Sequence, residues 1–438
     1  MIIALAIPHI YAMSQVPKMT DIINSSLSSH IYLDHNATTP VSALVASRLP
    51  EALQAWGNPS SIHAAGRKPK ALLREARQIA AQALKCNSLE IIFTSGGSES
   101  NTTVLKSFFE ILEKARKQNA QGLSLREEFI TSAVEHPSVM KTLMSFREAG
   151  YTVHIVPVNR EGVLDIEFYQ KVLTERTALV SIMLANNETG TIFPVQKLAQ
   201  MAHAVGAKFH TDAVQALGKI PVDLTQLGVD YASFSAHKFY AIKGAGLLYQ
   251  KRGAPLVSLI LGGGQERHRR GGTENVLGIH GLRVVLETIG LVIEKAKLMA
   301  QLRDQLEVDI LKQIPEVRIT AASSERLPNT SSLVIRGVDG ETLLMSLDLR
   351  GFSVSTGAAC SSGNPEPSPV LLAMGLSRAE AQNSLRVSIG WSTTTEQLKT
   401  FVSELVFTVK RLRSFENQSV ENSETDSGVN EGADASKH

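Results

Sequence analysis

Two short motifs of this 438-residue chain bring a carboxylate and a lysine to the ends of strand-like segments. Asp212 follows the segment 207–210, and Lys238, 26 residues after Asp212, follows the segment 229–234. Ligands of open α/β sheets bind at the carboxyl ends of strands, so both side chains are expected at one edge of a sheet. A lysine amine can hold an aldehyde, and a carboxylate can keep a pyridine nitrogen protonated. The pair predicts a pyridoxal phosphate (PLP) enzyme, although an Asp after a strand is more often a turn former and a His-Lys dipeptide alone means little.

Glycines and hydroxyl groups elsewhere in the chain suit a phosphate. Gly97 and Ser98 stand in the motif TSGGSES (94–100), where a predicted strand leads into a predicted helix. Glycine lets the backbone approach an anion, and the helix N-terminus presents unpaired N–H groups. Ser235 and His237 lie beside the lysine and could bind the same phosphate. A plain helix cap at Ser98 is the alternative. A second glycine-rich basic loop, 262–273, also suits an anion, but equally suits a solvated surface.

Three further polar residues follow or begin predicted strands. His136, in VEHP (134–137), could stack on a pyridine ring or relay protons, although a lone histidine is more often structural. Asn187, in NNETG (186–190), could bond a ring hydroxyl, and its alternative is turn chemistry. Arg386 could clamp a carboxylate with two bonds, and a surface ion pair is the alternative.

Cys360 is predicted to be a nucleophile. It lies in STGAACSSGNP (355–365), which contains no bulky apolar side chain that would bury the thiol. Cys86, at the end of a predicted helix, is interpreted as structural. Two cysteines make neither a disulfide framework nor a zinc site. A reducing compartment, and hence a cytoplasmic location, is predicted.

Composition restricts the partners and the domain organisation. The chain has 44 Lys and Arg against 42 Asp and Glu, so nucleic-acid binding has no electrostatic support. No run reaches the roughly eighteen apolar residues of a membrane span. Alternating strand and helix patterns predict an α/β domain followed by a smaller one. The predicted divisions are a loose extension (1–30), a large domain whose first part joins the small domain (31–285), a small domain (286–414) and a disordered polar tail (415–438).

The motifs together resemble the PLP-dependent cysteine desulfurases of the class V aminotransferase superfamily. They occur in family order over residues 31–413 and are YLDHNATTP (32–40), GNPSS (57–61), FTSGGSES (93–100), NNETG (186–190), TDAVQ (211–215), SFSAHK (233–238) and GAAC (357–360). The long segment around Cys360 looks like the group I branch, whose cysteine loop is flexible. The resemblance implies the fold-type I architecture: α/β, with a mainly parallel seven-stranded sheet flanked by helices, plus a smaller α+β domain.

The resemblance also implies a role for each matching residue. Lys238 would carry the Schiff base and take the α-proton, and Cys360 would attack the substrate sulfur and become a persulfide, with alanine released. The residues implied around the PLP ring and its phosphate are Gly97, Ser98, His136, Asn187, Asp212, Gln215, Ser235 and His237. Thr273 is expected to reach the phosphate of the other subunit of a homodimer. Asn36 and Arg386 would hold the substrate carboxylate.

The implied substrate is L-cysteine, and the implied partner is a sulfur-acceptor protein, either an iron–sulfur scaffold or another sulfur carrier. No metal site is predicted from the chain's own ligands, although Cys360 could share a transient iron–sulfur cluster. A selenocysteine lyase, or another class V enzyme of aminotransferase or carbon–carbon lyase type, remains an alternative. A non-enzymatic scaffold would be expected to lack Lys238, Asp212 or Cys360, and all three are present.

The chain departs from the family pattern in two places. Ala241 and Ile242 stand where the family usually has Gly-Pro, which puts the geometry of that loop in question. The segment after Phe415 is polar and lacks the aromatic and apolar residues with which the housekeeping branch docks its scaffold. The sulfur acceptor therefore stays open.

Overall fold

A seven-stranded sheet forms the centre of the protein. The computed structural model describes residues 30–118, 126–357 and 366–427, with the backbone alone for 416–427. The strand order is β2-β8-β7-β6-β5-β3-β4, and only β8 runs antiparallel to its neighbours. The strands are β2 (Ile91–Thr94), β3 (Glu128–Ser132), β4 (Thr152–Val156), β5 (Thr177–Ser181), β6 (Lys208–Asp212), β7 (Tyr231–Ser235) and β8 (Gly246–Gln250). This mainly parallel sheet confirms the predicted fold class.

Helices cover both faces of this sheet. Successive strand residues alternate between two hydrophobic cores: Ile130 lies in one and Phe129 in the other. Burial on both faces, as in other parallel sheets, extends to polar strand residues such as His210 and Ser233, whose side chains are hydrogen-bonded to each other. The helices are α1 (Ala43–Leu53), α2 (Ala64–Leu84), α3 (Gly97–Gln118), α4 (Pro137–Glu148), α5 (Ile166–Val172), α6 (Val195–Ala204), α7 (Leu224–Leu227) and α8 (Val276–Glu287).

A smaller unit is formed by the C-terminal part of the chain and the first described strand. Its strands are β1 (Ile31–Tyr32), β9 (Val317–Ile319), β10 (Thr330–Ile335), β11 (Phe352–Ser353) and β12 (Ser384–Ser388). Its helices are α9 (Ile289–Gln313), α10 (Gly340–Asp348), α11 (Pro369–Ala373), α12 (Arg378–Gln382) and α13 (Thr395–Ser427). β10 pairs antiparallel with β9 and β12, and β1 pairs parallel with β11. Leu33 shares the core of this small unit. The division near residue 285 stays a prediction.

The sequence pattern predicts helices over 71–84, from about 285 to 314 and over 395–413, and the structure differs at the boundaries of all three. The helix expected from about residue 285 is α9, which begins at Ile289, and the chain bends by 66° at Thr288 between α9 and the preceding helix α8. The helix α2, expected from residue 71, begins at Ala64, because burial of Gly66 and Pro69 compensates for their low helix propensity. The last helix, expected to end near Arg413, continues to Ser427, since adding residues to a formed helix is easy even for polar sequences. The predicted disordered tail is therefore helical over its first part, and 428–438 lie outside the described residues.

No single helix in the described ranges has both the length and the apolar character to cross a membrane. The bent pair α8–α9 would meet those two criteria together, by length and composition alone.

Candidate active site

The predicted site residues converge on one cavity of about 320 Å³ at the carboxyl edge of the large sheet. All but two of them line it: Asn36, Gly97, Ser98, His136, Asn187, Asp212, Gln215, Ser235, His237, Lys238 and Arg386. Most follow directly after β2, β3, β5, β6 or β7, because parallel strands end at the same edge. Arg386 and Asn36 come instead from the small unit and the segment after β1. The cavity therefore lies between the two units.

Lys238 occupies a single helical turn directly after β7. Its Nζ donates hydrogen bonds to the carbonyl oxygens of Asn36 and Ala37, over 2.7 and 2.6 Å. Burial and, to a smaller extent, the charge of Arg386 lower the pKa of Lys238 to about 8, against the opposing charges of Asp34 and Asp212. A substantial fraction of the amine is therefore neutral near pH 8, the form that attacks an aldehyde.

The carboxylate of Asp212 is held at the end of β6 by two donors. Its Oδ1 accepts from the backbone N–H of Val214 over 3.0 Å, and its Oδ2 accepts from Asn101 Nδ2 over 2.6 Å. Asn101 also donates to Ser138 Oγ over 2.9 Å. Asp212 is 5% exposed, so its orientation is fixed by these bonds. Such a carboxylate can face a pyridine nitrogen without rearrangement.

The start of α3 forms a cradle that only glycine permits. Gly97 opens the helix, and a Cβ at that position would lie 2.5 Å from Cγ2 of Val214. Gly96 before it has a φ of +156°, which favours glycine. The first N–H groups of a helix lack internal partners and attract anions. This cradle fits a phosphate group, and the hydroxyl of Ser98 lies beside it in the cavity.

The two histidines of the cavity are held as neutral rings. Burial, the charge of Lys238 and that of Lys243 lower the pKa of His237 to about 4. Burial also lowers the pKa of His136, helped by Lys238 and opposed by Asp212. His136 caps α4, where its Nδ1 accepts from the backbone N–H of Ser138 over 3.1 Å. The proton of the neutral His136 ring is therefore on Nε2, and its face is available for stacking on an aromatic ring.

Arg386, on β12, lines the cavity and has one donor without a recorded partner in the described chain. Its guanidinium donates to Asp34 Oδ1 over 2.7 Å and to the carbonyl oxygen of Asn187 over 3.3 Å. Its Nε is buried and has no recorded partner among the described residues. An anionic ligand group would satisfy this orphaned N–H. The predicted carboxylate clamp thus has a free donor and a charge at the correct wall of the cavity.

Asn36 has fewer free groups than its predicted role requires. Its Oδ1 accepts from Lys219 over 2.8 Å and from Asn329 over 3.1 Å. Its Nδ2 donates to the carbonyl oxygen of Asn187 over 3.0 Å and to Thr330 Oγ1 over 2.9 Å. A substrate carboxylate would have to replace one of these bonds. Direct contact between Asn36 and the substrate stays a prediction.

The other two predicted site residues are Thr273 and Cys360. Thr273 lies in the segment before α8, away from the cavity lining. Cys360 lies outside the described residues. The chain that leads to it pairs with the clamp strand, since Ser355 and Arg386 exchange backbone hydrogen bonds of 3.2 and 2.7 Å. The described chain before and after the cysteine segment therefore borders the cavity wall that carries Arg386.

The other cysteine, Cys86, does not have the low thiol pKa that a nucleophile requires. Cys86 is half-buried at the end of α2. Burial, with a contribution from Glu90, raises the pKa of its thiol to about 12, so almost no thiolate forms near neutral pH. The interpretation of Cys86 as structural agrees with this environment.

The segment with Ala241 and Ile242 is held by its neighbours despite its unusual sequence. Tyr240 has a φ of +70°, a strained value for a non-glycine residue. Its ring stacks on Trp391 with centroids 3.5 Å apart, and its hydroxyl accepts from the Trp391 backbone N–H over 2.9 Å. Ala241 is buried and donates to the carbonyl oxygen of Ala236 over 3.2 Å. These contacts fix the loop directly after Lys238.

Sequence reasoning missed three buried residues around the cavity. Asn101 holds Asp212, and its signal is its position one turn inside the helix that the glycine motif opens. Lys219 bonds Asn36 and Gln215, and Glu135 receives N–H and O–H bonds from Met183 and Ser132. Burial raises the pKa of Glu135 to about 8. No short motif marks these residues, because their partners come from distant segments.

A mainly parallel sheet with a lysine, a carboxylate and a glycine-opened helix at one edge defines an α/β enzyme that can hold PLP. Residues 31–401 match the family model of the class V aminotransferases. The chain belongs to that family, whose members are PLP-dependent.

Comparison with individual relatives shows which kind of class V enzyme the chain resembles. A cysteine desulfurase of Sinorhizobium fredii is 45% identical over 388 residues, which cover 87% of this chain and 97% of the relative. The cysteine desulfurase NifS of Azotobacter vinelandii is 40% identical and covers 88% of this chain and 94% of its own length. A solved NifS-like protein superposes with a TM-score of 0.79 at 36% identity, covering 87% of this chain and 99% of that one. The predictions of a PLP-dependent enzyme and of a cysteine desulfurase are confirmed.

Proposed function

We propose that the protein converts L-cysteine to L-alanine and transfers the sulfur to Cys360 as a persulfide. The observation that carries the proposal is the convergence of Lys238, Asp212, the Gly97 cradle and Arg386 on one cavity. When bound there, PLP supplies an electron sink for the carbanion at the substrate α-carbon. The persulfide sulfur would then pass to an iron–sulfur scaffold or to another sulfur carrier.

The residues of the large unit would bind and orient the cofactor. Lys238, with its lowered pKa, holds the aldehyde and afterwards moves the α-proton. Asp212 would face the pyridine nitrogen, and His136 would stack on the ring. Gln215 and Asn187 donate toward the ring oxygen. The residues proposed to hold the phosphate are Gly97, Ser98, Ser235 and His237.

The residues of the small unit would bind the substrate and take its sulfur. Arg386 Nε, which is buried without a partner, receives the substrate carboxylate, with Asn36 beside it. The Cys360 thiolate attacks the substrate sulfur, so that an S–S bond forms while the C–S bond of the substrate breaks. The former Cβ is protonated and leaves as the methyl group of alanine. Support for this arrangement comes from the pairing of Ser355 with Arg386 at the approach to the cysteine segment.

The functional unit is proposed to be a homodimer. Three large apolar side chains stand in water: Trp56 is 82% exposed, Ile62 95% and Leu261 83%. A second subunit that covered these side chains would remove them from water. Thr273, which is outside the cavity of its own chain, is proposed to reach the phosphate of the second subunit. Light scattering of the PLP-loaded protein tests the dimer, and a monomeric mass would contradict it. A cytoplasmic location is part of the same proposal and follows from the two cysteines.

The deciding experiment combines visible absorbance with product analysis for wild type, Cys360→Ala and Lys238→Ala. Wild type should bind PLP with a visible band and release alanine and sulfide from cysteine under reducing conditions. Cys360→Ala should keep the band and lose sulfide release, while Lys238→Ala should lose the lysine-bound band and at least roughly 10³-fold in rate. Sulfide release by Cys360→Ala at the wild-type rate would refute the persulfide step. Turnover of selenocysteine with none of cysteine would favour a selenocysteine lyase instead.

A further inference from the structure

Lys219 is a buried lysine beside the cavity to which the proposed reaction gives no role. It lies in the turn after β6, four residues beyond Gln215. Its Nζ donates to Asn36 Oδ1 over 2.8 Å and to Gln215 Oε1, so both recorded partners are amide oxygens. Burial, together with the charges of Lys238 and Arg386, lowers the pKa of Lys219 well below its ordinary range. A buried amine without a carboxylate disfavours folding, so its hydrogen bonds are expected to serve the site.

The bond from Lys219 to Gln215 determines which side of the Gln215 amide faces the cavity. Oε1 accepts from Lys219, and Nε2 donates to the carbonyl oxygen of Asn36 over 3.0 Å. The reversed amide would place N–H against the Lys219 donor and Oε1 against the Asn36 oxygen, and both contacts repel. Either protonation state of the amine has two N–H groups to give. Gln215 lines the cavity, and no recorded partner in the described chain takes its second Nε2 hydrogen.

The bond from Lys219 to Asn36 connects Lys219 to the small unit. Asn36 Oδ1 also accepts from Asn329 Nδ2 over 3.1 Å, and Asn36 Nδ2 donates to Thr330 Oγ1 over 2.9 Å. Thr330 begins β10 of the small unit, whereas Gln215 follows β6 of the large sheet. Lys219 therefore joins the two units at the cavity, and its position is set from both sides.

We propose that Lys219 is a positioning residue, whose two hydrogen bonds hold the Gln215 amide so that an N–H group faces the ring oxygen of PLP. The inference rests on the proposed function, because that function places PLP in the cavity. An N–H donor stabilises the ring oxygen as an anion, and this lowers the pH at which the visible band of the bound cofactor titrates. Lys219 itself does not touch the cofactor; it acts through Gln215.

The test is a spectrophotometric pH titration of the PLP-loaded protein in a double-mutant cycle. Lys219→Met and Gln215→Met should each raise the midpoint of the visible band by roughly half a pH unit, the effect of one ordinary hydrogen bond. The double variant should titrate with Gln215→Met, because Lys219 has no effect once its target amide is gone. Lys197→Met, at an exposed position on α6, makes the same chemical change and should titrate as wild type. The charged and titratable groups that influence this region are unchanged in every variant: Asp34, His35, His136, Asp212, His237, Lys243, Lys238 and Arg386.

Each other outcome overturns the inference. A wild-type midpoint in Lys219→Met, with or without a lower Tm, would give Lys219 a structural role only. Additive shifts in the double variant would mean that Lys219 acts through its own charge and not through Gln215. If Lys219→Met does not fold, the same cycle is run with Lys219→Gln, which is shorter and uncharged; a non-additive shift supports the proposal, and an additive or absent shift refutes it.

The same measurements separate the two proposals. Wild type with a visible band and desulfurase activity, combined with an unshifted Lys219→Met, refutes only the positioning role. Wild type that forms no visible band with PLP refutes the proposed function and the inference together.

Discussion

The two walls of the cavity are built differently. The sheet wall, formed by Gly97, His136, Asp212 and Lys238, follows directly after strands that are buried on both faces. The small-unit wall, formed by Asn36 and Arg386, depends on a three-stranded sheet and on pairing between β1 and β11. In the proposed function, the sheet wall carries the cofactor chemistry and the small-unit wall the substrate chemistry. Cofactor retention and substrate turnover should therefore be separable by mutation.

Among these substitutions, Arg386→Gln, on the small-unit wall, should give the largest difference between cofactor retention and substrate turnover. It removes the charge and the free Nε donor that meet the substrate carboxylate, so kcat/KM for cysteine should fall by roughly 100-fold. The visible PLP band should remain, because no proposed cofactor contact is lost. Steady-state kinetics and absorbance measure the two effects. Arg336→Gln, at a surface arginine that pairs with Glu316, is the matched control. Loss of PLP from Arg386→Gln would contradict the division between the walls.

Asn101→Leu, beside the sheet wall, should have the opposite effect: PLP binding becomes weaker and substrate binding stays the same. It removes the donor that holds Asp212 Oδ2, so PLP should dissociate about tenfold more readily while KM for cysteine in the loaded enzyme stays the same. Equilibrium titration of the apoprotein with PLP gives the affinity. Thr103→Val, on the same helix but bonded to its own backbone, should bind PLP as wild type does. A changed KM with unchanged PLP affinity would show that Asn101 supports substrate binding instead of cofactor binding, and would contradict this prediction.

One substitution made in each unit should change stability in opposite directions. Glu135, beside the sheet wall, is fully buried with a raised pKa of about 8, whereas Glu307 in the small unit is paired by two hydrogen bonds with Arg326. Glu135→Gln should raise Tm at pH 8 by on the order of a few degrees, because it removes a carboxyl group whose ionisation opposes folding. Glu307→Gln should lower Tm by a similar or larger amount, since Arg326 loses its charge partner.

The pH dependence fixes the sign of the Glu135 effect. The pKa of Glu135 is raised on folding, so the stability it contributes is complete below about 4.5 and is lost as the pH rises toward about 8. The gain in Glu135→Gln should therefore vanish near pH 4.5 and reach its maximum near pH 8. Thermal unfolding across this range measures it. A gain that is equal at both pH values would show that the carboxyl group does not titrate as described, and Glu294→Gln, at an exposed glutamate, should show no gain at either.

Local sequence predicted the sheet wall well because each of its residues belongs to a short strand-to-loop motif. Residue type and position were enough to predict that Asp212, Lys238 and Gly97 lie at the carboxyl ends of strands. The residues that hold this wall in place could not be found in that way. Asn101 meets Asp212 across 111 residues of sequence, and Lys219 meets Asn36 across 183. Only the fold brings such pairs together.

Helix boundaries were the weakest sequence-based predictions, because tertiary contacts override local preference. Gly66 and Pro69 argue against a helix by propensity, yet both are buried inside α2. The bend at Thr288 is marked in the sequence only by Gly290, in the first turn of α9, and no proline accompanies it. The pairing of β1 with β11 joins segments more than 300 residues apart, and no periodicity in either two-residue strand indicates it.

The backbone pairing of Ser355 with Arg386 has a consequence for how the chain can change in length. Residues added between Gly357 and Ser368 would lengthen the segment that carries Cys360 and leave the carboxylate clamp where it is, because the pairing lies upstream of them. Residues added between Ser384 and Arg386 would shift the register of β12 against β10 and turn the clamp to the other face of the sheet. We therefore expect changes in length to be tolerated on the side of this pairing that is proposed to carry sulfur, and excluded on the side that is proposed to bind the substrate carboxylate.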